Sequence, residues 1–366
     1  MKRIMIVMGT RPEAIKLCPL VRELKARGDQ EILVCSTGQH RAMLDSAMEA
    51  FSVRPDFDMD VMQTGQSTSE VTAKVLKRTD ELLVAEKPDM VLVQGDTTTA
   101  FASGLAAFHR QISVGHIEAG LRTYQMHAPF PEEFHRQAIS LFADYHFSPT
   151  VTAKRNLLRE GKHESQIFVT GNTVVDALRI TLSEKRPSLP WQFDDGQRIL
   201  LFTAHRRESW GEPIRGMLRA LRRIVEEHPD VLAVFPVHHN PHVRAAAKEI
   251  LGGVPRVRMI EPPEIVTFHH LLAHAHLILT DSGGIQEEAV ALGIPTLVMR
   301  YSSERTEGMR AGVLKLAGSG EEGIVALANR LLEENSEEYL AMKKPSAVYG
   351  KGRASAIIAD ILEKVV

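Results

Sequence analysis

Short apolar runs alternate with longer helical patterns along the whole 366-residue chain. Apolar runs of this length are typical of parallel strands that are buried on both faces of a sheet. Because a helical pattern separates each run from the next, we predict an α/β fold with two similar sheets. The predicted strands of the first half are residues 3–8, 31–36, 90–93, 113–116, 145–148 and 167–169. Those of the second half are residues 199–203, 232–237, 257–260, 277–280 and 296–299.

The chain is longer than a single hydrophobic core usually supports, so two domains are expected. The most polar and proline-rich break is residues 183–190, and it places the domain junction near that segment. We therefore predict an N-terminal domain of residues 1–170 and a C-terminal domain of residues 171–353. A last helical pattern, residues 354–366, is predicted to cross back onto the first domain. A cleft between two such domains is a natural ligand site.

The charge balance excludes a general affinity for polyanions. The chain has 44 basic and 46 acidic residues and a net charge of −2, so we expect no binding to nucleic acid or to an anionic membrane. The two cysteines, Cys18 and Cys35, lie in apolar segments and are predicted to be reduced. The apolar run at the start is too short for a signal peptide and is followed at once by Arg11 and Glu13. A cytoplasmic location is therefore expected.

Two predicted strands run directly into glycine-containing turns that open helices. In the first turn Gly9 precedes a helix with Pro12 at its first position, and Arg11 and Lys16 supply positive charge. Helix-start amides beside such cations would attract an anion. The alternative is an ordinary strand-to-helix turn with surface cations.

The second turn, in the C-terminal half, has the same character. Ser282, Gly283 and Gly284 would let the backbone approach a diphosphate closely, and Glu288 further along the helix could accept from ribose hydroxyls. Neither turn is a G-x-G-x-x-G or a Walker loop. Their presence in both domains favours a nucleotide-type ligand.

Acidic residues follow several predicted strands of the first domain. Asp96, Glu118 and Glu132, the last beside Glu133, would meet at the carboxyl edge of the sheet. Converging carboxylates would raise one another's proton affinity, which suits general acid and base catalysis. The alternative is that each caps a helix or pairs with a nearby arginine, Arg122 or Arg136.

A histidine and two arginines, His205, Arg206 and Arg207, follow a strand of the second domain. They could clamp a leaving diphosphate, with His205 donating a proton or hydrogen bond. Arg305, in a loop after the last predicted strand, is a further candidate. The alternative is a solvated salt-bridge surface.

Two further histidines, His270 and His274, are one helical turn apart and could share a zinc ion. The surrounding sequence lacks an acidic pattern such as H-E-x-x-H, so a helix flank that carries histidines is favoured and no metal is predicted.

Motifs spread over nearly the whole chain resemble, in the same order, those of the non-hydrolysing UDP-N-acetylglucosamine 2-epimerases. They are residues 9–16, 37–40, 95–99, 116–122, 129–133, 205–208, 236–238 and 281–288. The resemblance implies two Rossmann-like domains facing across a cleft, of the GT-B type. It also implies a reaction without metal or cofactor, in which anti elimination of UDP gives 2-acetamidoglucal and re-addition of UDP gives UDP-N-acetylmannosamine.

The resemblance also assigns residues. It implies that Asp96, Glu118, Glu132 and His205 are catalytic. It places the following at nucleotide-binding positions: Arg11, Lys16, Phe268, Ser282, Gly283, Gly284, Glu288 and Arg305. It places Gln39, Arg206 and His238 where a second UDP-sugar could bind as allosteric activator. It further implies a homodimer.

The chain departs from the family pattern around the sugar and the hinge. Residue 306 is Thr306 where a proline is usual, His135 replaces an asparagine, and Tyr124 replaces a glycine. The substrate could therefore be a modified UDP-hexosamine, such as a 2,3-diacetamido uronic acid. A hydrolysing 2-epimerase, a GT-B glycosyltransferase and a sugar-nucleotide-binding module without turnover are rival interpretations of the same residues. The retained carboxylates argue against the binding module.

Overall fold

The structure is a computed structural model that describes residues 1–38, 41–63, 65–184, 196–204, 206 and 209–366. Two compact units are present. Unit 1 is Met1–Ile180 with Tyr349–Val366, and unit 2 is Thr181–Val348. No helix in these described ranges has both the length and the apolar character needed to cross a membrane.

Unit 1 is built on a parallel sheet, which has seven strands in the described residues. The strands are β1 Arg3–Met8, β2 Glu31–Ser36, β3 Phe57–Asp58, β4 Met90–Gln94, β5 Ser113–Ile117, β6 Tyr145–Ser148 and β7 Ile167–Val169. Their spatial order is β3-β2-β1-β4-β5-β6-β7, so the direction of winding reverses between β1 and β4. In open α/β sheets, ligands bind outside the carboxyl ends of the strands at such a reversal.

Helices of unit 1 connect these strands. They are α1 Arg11–Arg27, α2 Arg41–Ala50, α3 Thr68–Glu86, α4 Thr98–His109, α5 Glu132–Phe142, α6 Val151–Arg159 and α7 Thr173–Ser183, the last continuing into unit 2. The strands are apolar on both faces because helices cover both. Val91, Val93 and Val114 are fully buried against Ala106 of α4 and Ile139 of α5.

Unit 2 repeats this plan with a parallel sheet of six described strands. They are β8 Arg198–Thr203, β9 Val231–Pro236, β10 Val257–Ile260, β11 Leu277–Thr280, β12 Thr296–Val298 and β13 Leu314–Leu316, in the order β10-β9-β8-β11-β12-β13. The helices are α8 Glu212–Glu227, α9 Pro241–Leu251, α10 Ile265–Ala273, α11 Gly283–Leu292, α12 Thr306–Arg310, α13 Glu321–Leu332 and α14 Glu337–Met342. The winding reverses between β8 and β11.

The C-terminal helix, α15 Ala354–Val365, belongs to unit 1 and packs on α1. Arg27 of α1 pairs with Asp360 at 2.7 Å and with Glu363 at 2.6 Å. Residues 171–180 and 349–353, placed in the second domain by the sequence, lie in unit 1. They do so because the two segments bond to each other, and the guanidinium of Arg179 donates to the carbonyls of Lys351 and Gly352.

Each predicted strand coincides with an observed one to within one residue at either end. The sequence does not predict the two strands β3 and β13. Each lies at the edge of its sheet and lacks a continuous apolar run, since β3 is Phe57-Asp58 and β13 has Lys315 between two leucines.

Candidate active site

The turn between β1 and α1 is closed by a carboxylate of the chain itself. The backbone N–H groups of Gly9 and Thr10 donate to Oε2 of Glu13 at 3.0 and 2.8 Å. Glu13 therefore occupies these two amides, whereas anion binding at the start of α1 beside Arg11 and Lys16 stays a prediction. The spacing Thr10-x-x-Glu13 is that of a capping box and was the signal available in the sequence.

Glu13 also links this turn to the next strand end. It is completely buried, and its other oxygen accepts the hydroxyl of Thr97 at 2.6 Å. Burial raises the pKa of Glu13 to about 6, although the hydrogen bonds from Thr97, Thr10 and Gly9 act in the opposite direction. Thr97 directly follows Asp96, so Glu13 fixes the loop that presents that candidate acid or base.

Lysine and amide side chains hold the carboxylate of Glu118 just beyond β5. Lys16 of α1 contacts Oε1 at 2.8 Å and Oε2 at 2.6 Å. The amide of Gln94 donates to Oε2, and that of Asn172 donates to Oε1 at 3.1 Å. Glu118 is 7% exposed and its φ is +66°. A buried carboxylate with a cation and amide donors is stabilised in its ionised form.

Asp96 lies at the carboxyl end of β4 and pairs with an arginine of α5. Nε of Arg136 donates to Asp96 Oδ2 at 2.7 Å, and a second guanidinium nitrogen lies 2.6 Å away. Asp96 and Glu118 thus each contact a cation, and their role as coupled acid and base stays a prediction. The loops do converge, because a Cβ at Gly95 would lie 3.4 Å from Glu118 Oε2.

Two adjacent glutamates at the start of α5, Glu132 and Glu133, have different surroundings. Glu133 is fully buried and accepts the backbone N–H groups of Thr123 and Tyr124, both at 3.0 Å. It therefore braces the loop in which Tyr124 has a left-handed φ of +58°, the conformation that glycine usually supplies. Glu132 is half-buried, and no described residue bonds to its side chain.

A buried histidine supports the loop that carries Asp96 through a hydrogen bond to its backbone. His116 of β5 is 1% exposed, and its Nε2 donates to the carbonyl of Gly95 at 2.7 Å. Burial lowers the pKa of His116 to about 4, so the ring is neutral. The sequence predicts no role for His116, because nothing in its spacing distinguishes it from a core residue.

In unit 2, an arginine packs on the first turn of α11. The guanidinium of Arg305 lies against Gly283, where a Cβ would be 2.9 Å from Cζ. Arg305 donates to Glu287 at 3.0 Å and also contacts Glu304. Glycine at this position thus lets a cation approach the positive end of a helix, and Glu287 and Glu304 compensate the charge.

One carboxylate oxygen on α11 has no hydrogen-bond partner in the described part of the chain. Glu288 is 5% exposed; its Oε1 lies 3.2 Å from Nε2 of His269, whereas Oε2 is buried and unpaired. His269 is fixed in turn by Thr181, 2.6 Å from its Nδ1. An unsatisfied buried acceptor is costly, and a ligand hydroxyl would satisfy it.

Arg206, a predicted activator residue, is bound within unit 2. Its backbone N–H donates to Oδ2 of Asp281 and its Nε to the carbonyl of the same residue, both at 3.0 Å. Its guanidinium also lies 3.6 Å from Glu304. Glu304 contacts Arg300 and Arg305 as well, so a buried acidic residue for which the sequence predicts no role organises three arginines.

The structure also places three other predicted site residues, Arg11, Phe268 and His238. Arg11 is the first residue of α1, and Phe268 lies half-buried on α10. His238 follows β9, and its Nδ1 accepts the N–H of Asn240 at 3.2 Å. Gln39, His205 and Arg207 lie outside the described residues.

The two histidines considered for zinc bond to backbone carbonyls. Nδ1 of His274 lies 2.7 Å from the carbonyl oxygen of His270. Nε2 of His270 lies 3.3 Å from the carbonyl oxygen of Glu184. Over the ranges that the structure describes, no three His, Cys, Asp or Glu side chains form a group that could hold a metal.

Comparison with known proteins decides the family. The UDP-N-acetylglucosamine 2-epimerase family model matches residues 22–363. The chain belongs to this family. The UDP-N-acetylglucosamine 2-epimerase of Bacillus subtilis is 52% identical over 362 residues, 98% of this chain and 94% of the relative.

Solved structures agree with the UDP-N-acetylglucosamine 2-epimerase assignment. The epimerase from Neisseria meningitidis bound to UDP-GlcNAc is 42% identical, has a TM-score of 0.96 and is matched over 99% of this chain and 100% of that one. The glycotransferase of kitacinnamycin is 14% identical with a TM-score of 0.66 over 98% of both chains. That likeness concerns the fold alone, and it agrees with the predicted GT-B class of two Rossmann-like α/β domains. The protein is an enzyme of the UDP-N-acetylglucosamine 2-epimerase family.

Proposed function

We propose that this protein interconverts UDP-N-acetylglucosamine and UDP-N-acetylmannosamine without net hydrolysis. In the forward direction the C1–O bond to UDP breaks, a carboxylate takes the C2 proton, and a C1=C2 double bond forms in 2-acetamidoglucal. UDP then re-forms the C1–O bond while a proton is delivered to the opposite face of C2. Atoms and charge balance without a cofactor.

The observation that supports this chemistry best is the environment of Glu118. The C2 proton has no adjacent carbonyl to acidify it, so the base must be ionised and fixed in place. Glu118 is a buried carboxylate that contacts Lys16 and two amide donors. We assign proton abstraction at one face to Glu118 and proton transfer at the other to Asp96 or Glu132.

Departure of UDP must lead the reaction, so stabilisation of the leaving diphosphate matters most. We assign this to His205 together with Arg11 and Arg305. On the nucleotide side, the unpaired oxygen of Glu288 is suited to a ribose hydroxyl, and the start of α11 is suited to the diphosphate. The relative solved with UDP-GlcNAc supports this class of ligand.

Two finer assignments follow the family resemblance. We propose that a second UDP-sugar acts as an activator through Gln39, Arg206 and His238.

We also propose a homodimer, in which the exposed apolar side chains of Phe108 and Leu141 could be buried at the interface between the two copies. Light scattering should give about twice the chain mass of 40.7 kDa, and a monomer at micromolar concentration would refute the dimer.

The reaction is tested by proton NMR of UDP-N-acetylglucosamine with the purified protein in deuterium oxide. We expect deuterium to enter C2 as UDP-N-acetylmannosamine appears. Accumulation of free N-acetylmannosamine with UDP would instead establish the hydrolysing reaction. If the substrate does not change, the same measurement with UDP-2,3-diacetamido uronic acid tests whether the enzyme takes a modified UDP-hexosamine.

The Asp96→Asn variant tests the assigned carboxylate. Turnover should fall by at least about 1,000-fold, because removal of a proton-transfer group commonly costs this much, while UDP binding measured by calorimetry stays the same. Asp89→Asn is the control, since Asp89 pairs with Lys2 at the surface of unit 1. Wild-type turnover in Asp96→Asn would remove Asp96 from the mechanism.

A further inference from the structure

Asn172 lies between β7 and α7 with both ends of its side-chain amide used. Its Oδ1 accepts the N–H of Val174 at 3.1 Å and so caps the start of α7. Its Nδ2 donates to Oε1 of Glu118, also at 3.1 Å. The residue is 3% exposed. Because the cap needs the carbonyl oxygen, the amide cannot be flipped, and its N–H must point at Glu118.

The backbone around Asn172 is fixed by the segment that returns from unit 2. The N–H of Asn172 donates to the carbonyl of Tyr349 at 2.8 Å. The neighbouring residues Gly171 and Gly350 have φ values of +84° and +102°, and a Cβ at Gly171 would lie 3.0 Å from the Cα of Gly350. The two glycines therefore allow a backbone contact that a larger residue would prevent, and this contact holds Asn172 in place.

We propose that Asn172 is a positioning residue that orients Glu118 and keeps it ionised for proton abstraction. This inference rests on the proposed function. Asn172 shares Oε1 with Lys16, while Gln94 binds Oε2, so the carboxylate plane is fixed from both sides. Lys16 contacts both carboxylate oxygens of Glu118, whereas the amide of Asn172 donates to Oε1.

Other charged groups nearby are already compensated. Asp96 pairs with Arg136, and Arg122 pairs with Glu160 at 2.8 Å. His116, two residues before Glu118, is neutral because of its burial. Lys16 is a cation in direct contact with Glu118, and loss of the Asn172 amide would leave Oε1 with Lys16 and without this donor.

Two substitutions separate the helix cap from the contact to Glu118. Asn172→Ser keeps a capping oxygen but is too short to reach Glu118, and Asn172→Asp keeps the cap but turns the donor into an acceptor facing a carboxylate. We expect the acidic limb of kcat/KM to move up by about one pH unit in Asn172→Ser, and further in Asn172→Asp. The value of kcat should fall about tenfold with KM unchanged, because geometry at the base is lost.

Asn156→Ala is the matched control. Asn156 of α6 is a half-buried asparagine whose amide donates at 3.0 Å to the carbonyl of Gly120, two residues after Glu118, instead of to the carboxylate. It should leave the pH profile in place. Gln94→Leu removes a donor from the other oxygen and should shift the acidic limb in the same direction as Asn172→Ser, which keeps the test usable if position 172 tolerates no change.

A readout independent of turnover is 13C NMR of protein labelled at the glutamate side-chain carboxyl, with Glu118→Gln identifying the signal. The Glu118 signal should titrate at higher pH in Asn172→Ser than in the wild type or Asn156→Ala. An unmoved titration, or an equal shift in Asn156→Ala, would overturn the positioning role even if the enzyme is active. A shifted titration in a protein that turns over no UDP-hexosamine would leave the contact to Glu118 established and refute the proposed function alone.

Discussion

At the scale of single residues, protonation of the Glu13 carboxyl group should change the free energy of unfolding. Its pKa is raised by burial from 4.5 to about 6, so the folded state binds the proton more tightly than the unfolded chain. This contribution to stability is present below pH 4.5 and is lost as the pH rises through 6. Relative to wild type, Glu13→Gln should therefore gain about 1 kcal/mol between pH 5 and pH 7 in urea unfolding. A pH-independent difference would contradict the raised pKa.

At the scale of a single element, α11 gives the sharpest test because its first residue, Gly283, has no room for a side chain. Gly283→Ala would push Arg305 away from Glu287, and we expect UDP affinity to fall about tenfold or more by calorimetry. An alanine in a helix normally stabilises it relative to glycine, so lower stability would show the clash. Gly320→Ala, before α13, has no neighbour within 4 Å and is the control. Unchanged UDP affinity in Gly283→Ala would separate Arg305 from nucleotide binding.

At the scale of the whole molecule, we predict that two buried histidines make the folded protein less stable in acid. Burial lowers the pKa of His116 to about 4 and that of His146 to about 3. The unfolded chain therefore binds more protons below pH 6.5, and stability falls as the pH drops from 6.5 towards 4. Each should cost about 2 kcal/mol at pH 5. His146→Leu, which removes two ring nitrogens that are unpaired among the described residues, should weaken this pH dependence in urea unfolding; an unaltered slope would contradict the assignment.

The α/β class, the longer strands and the residues at the strand ends could all be predicted from sequence. This is possible because buried parallel strands leave continuous apolar runs, and residues such as Asp96 and Glu118 stand directly after them. The capping role of Glu13 could also be predicted, since a capping box is a local sequence pattern. The edge strands β3 and β13 could not be, because Asp58 and Lys315 leave neither of them with a continuous apolar run.

Which groups contact each other depends on the tertiary structure. That Glu118 contacts Lys16 and Asn172, 102 and 54 residues away in sequence, follows from how strands β1, β5 and β7 are placed in the sheet and not from any local spacing. The same holds for the contact of Glu304 with the distant Arg206 and for residues 171–180, which join unit 1 through hydrogen bonds to the returning segment. Local sequence sets where strands end because burial and periodicity are local; it does not set the charge state of a side chain there, because that depends on neighbours brought by distant segments.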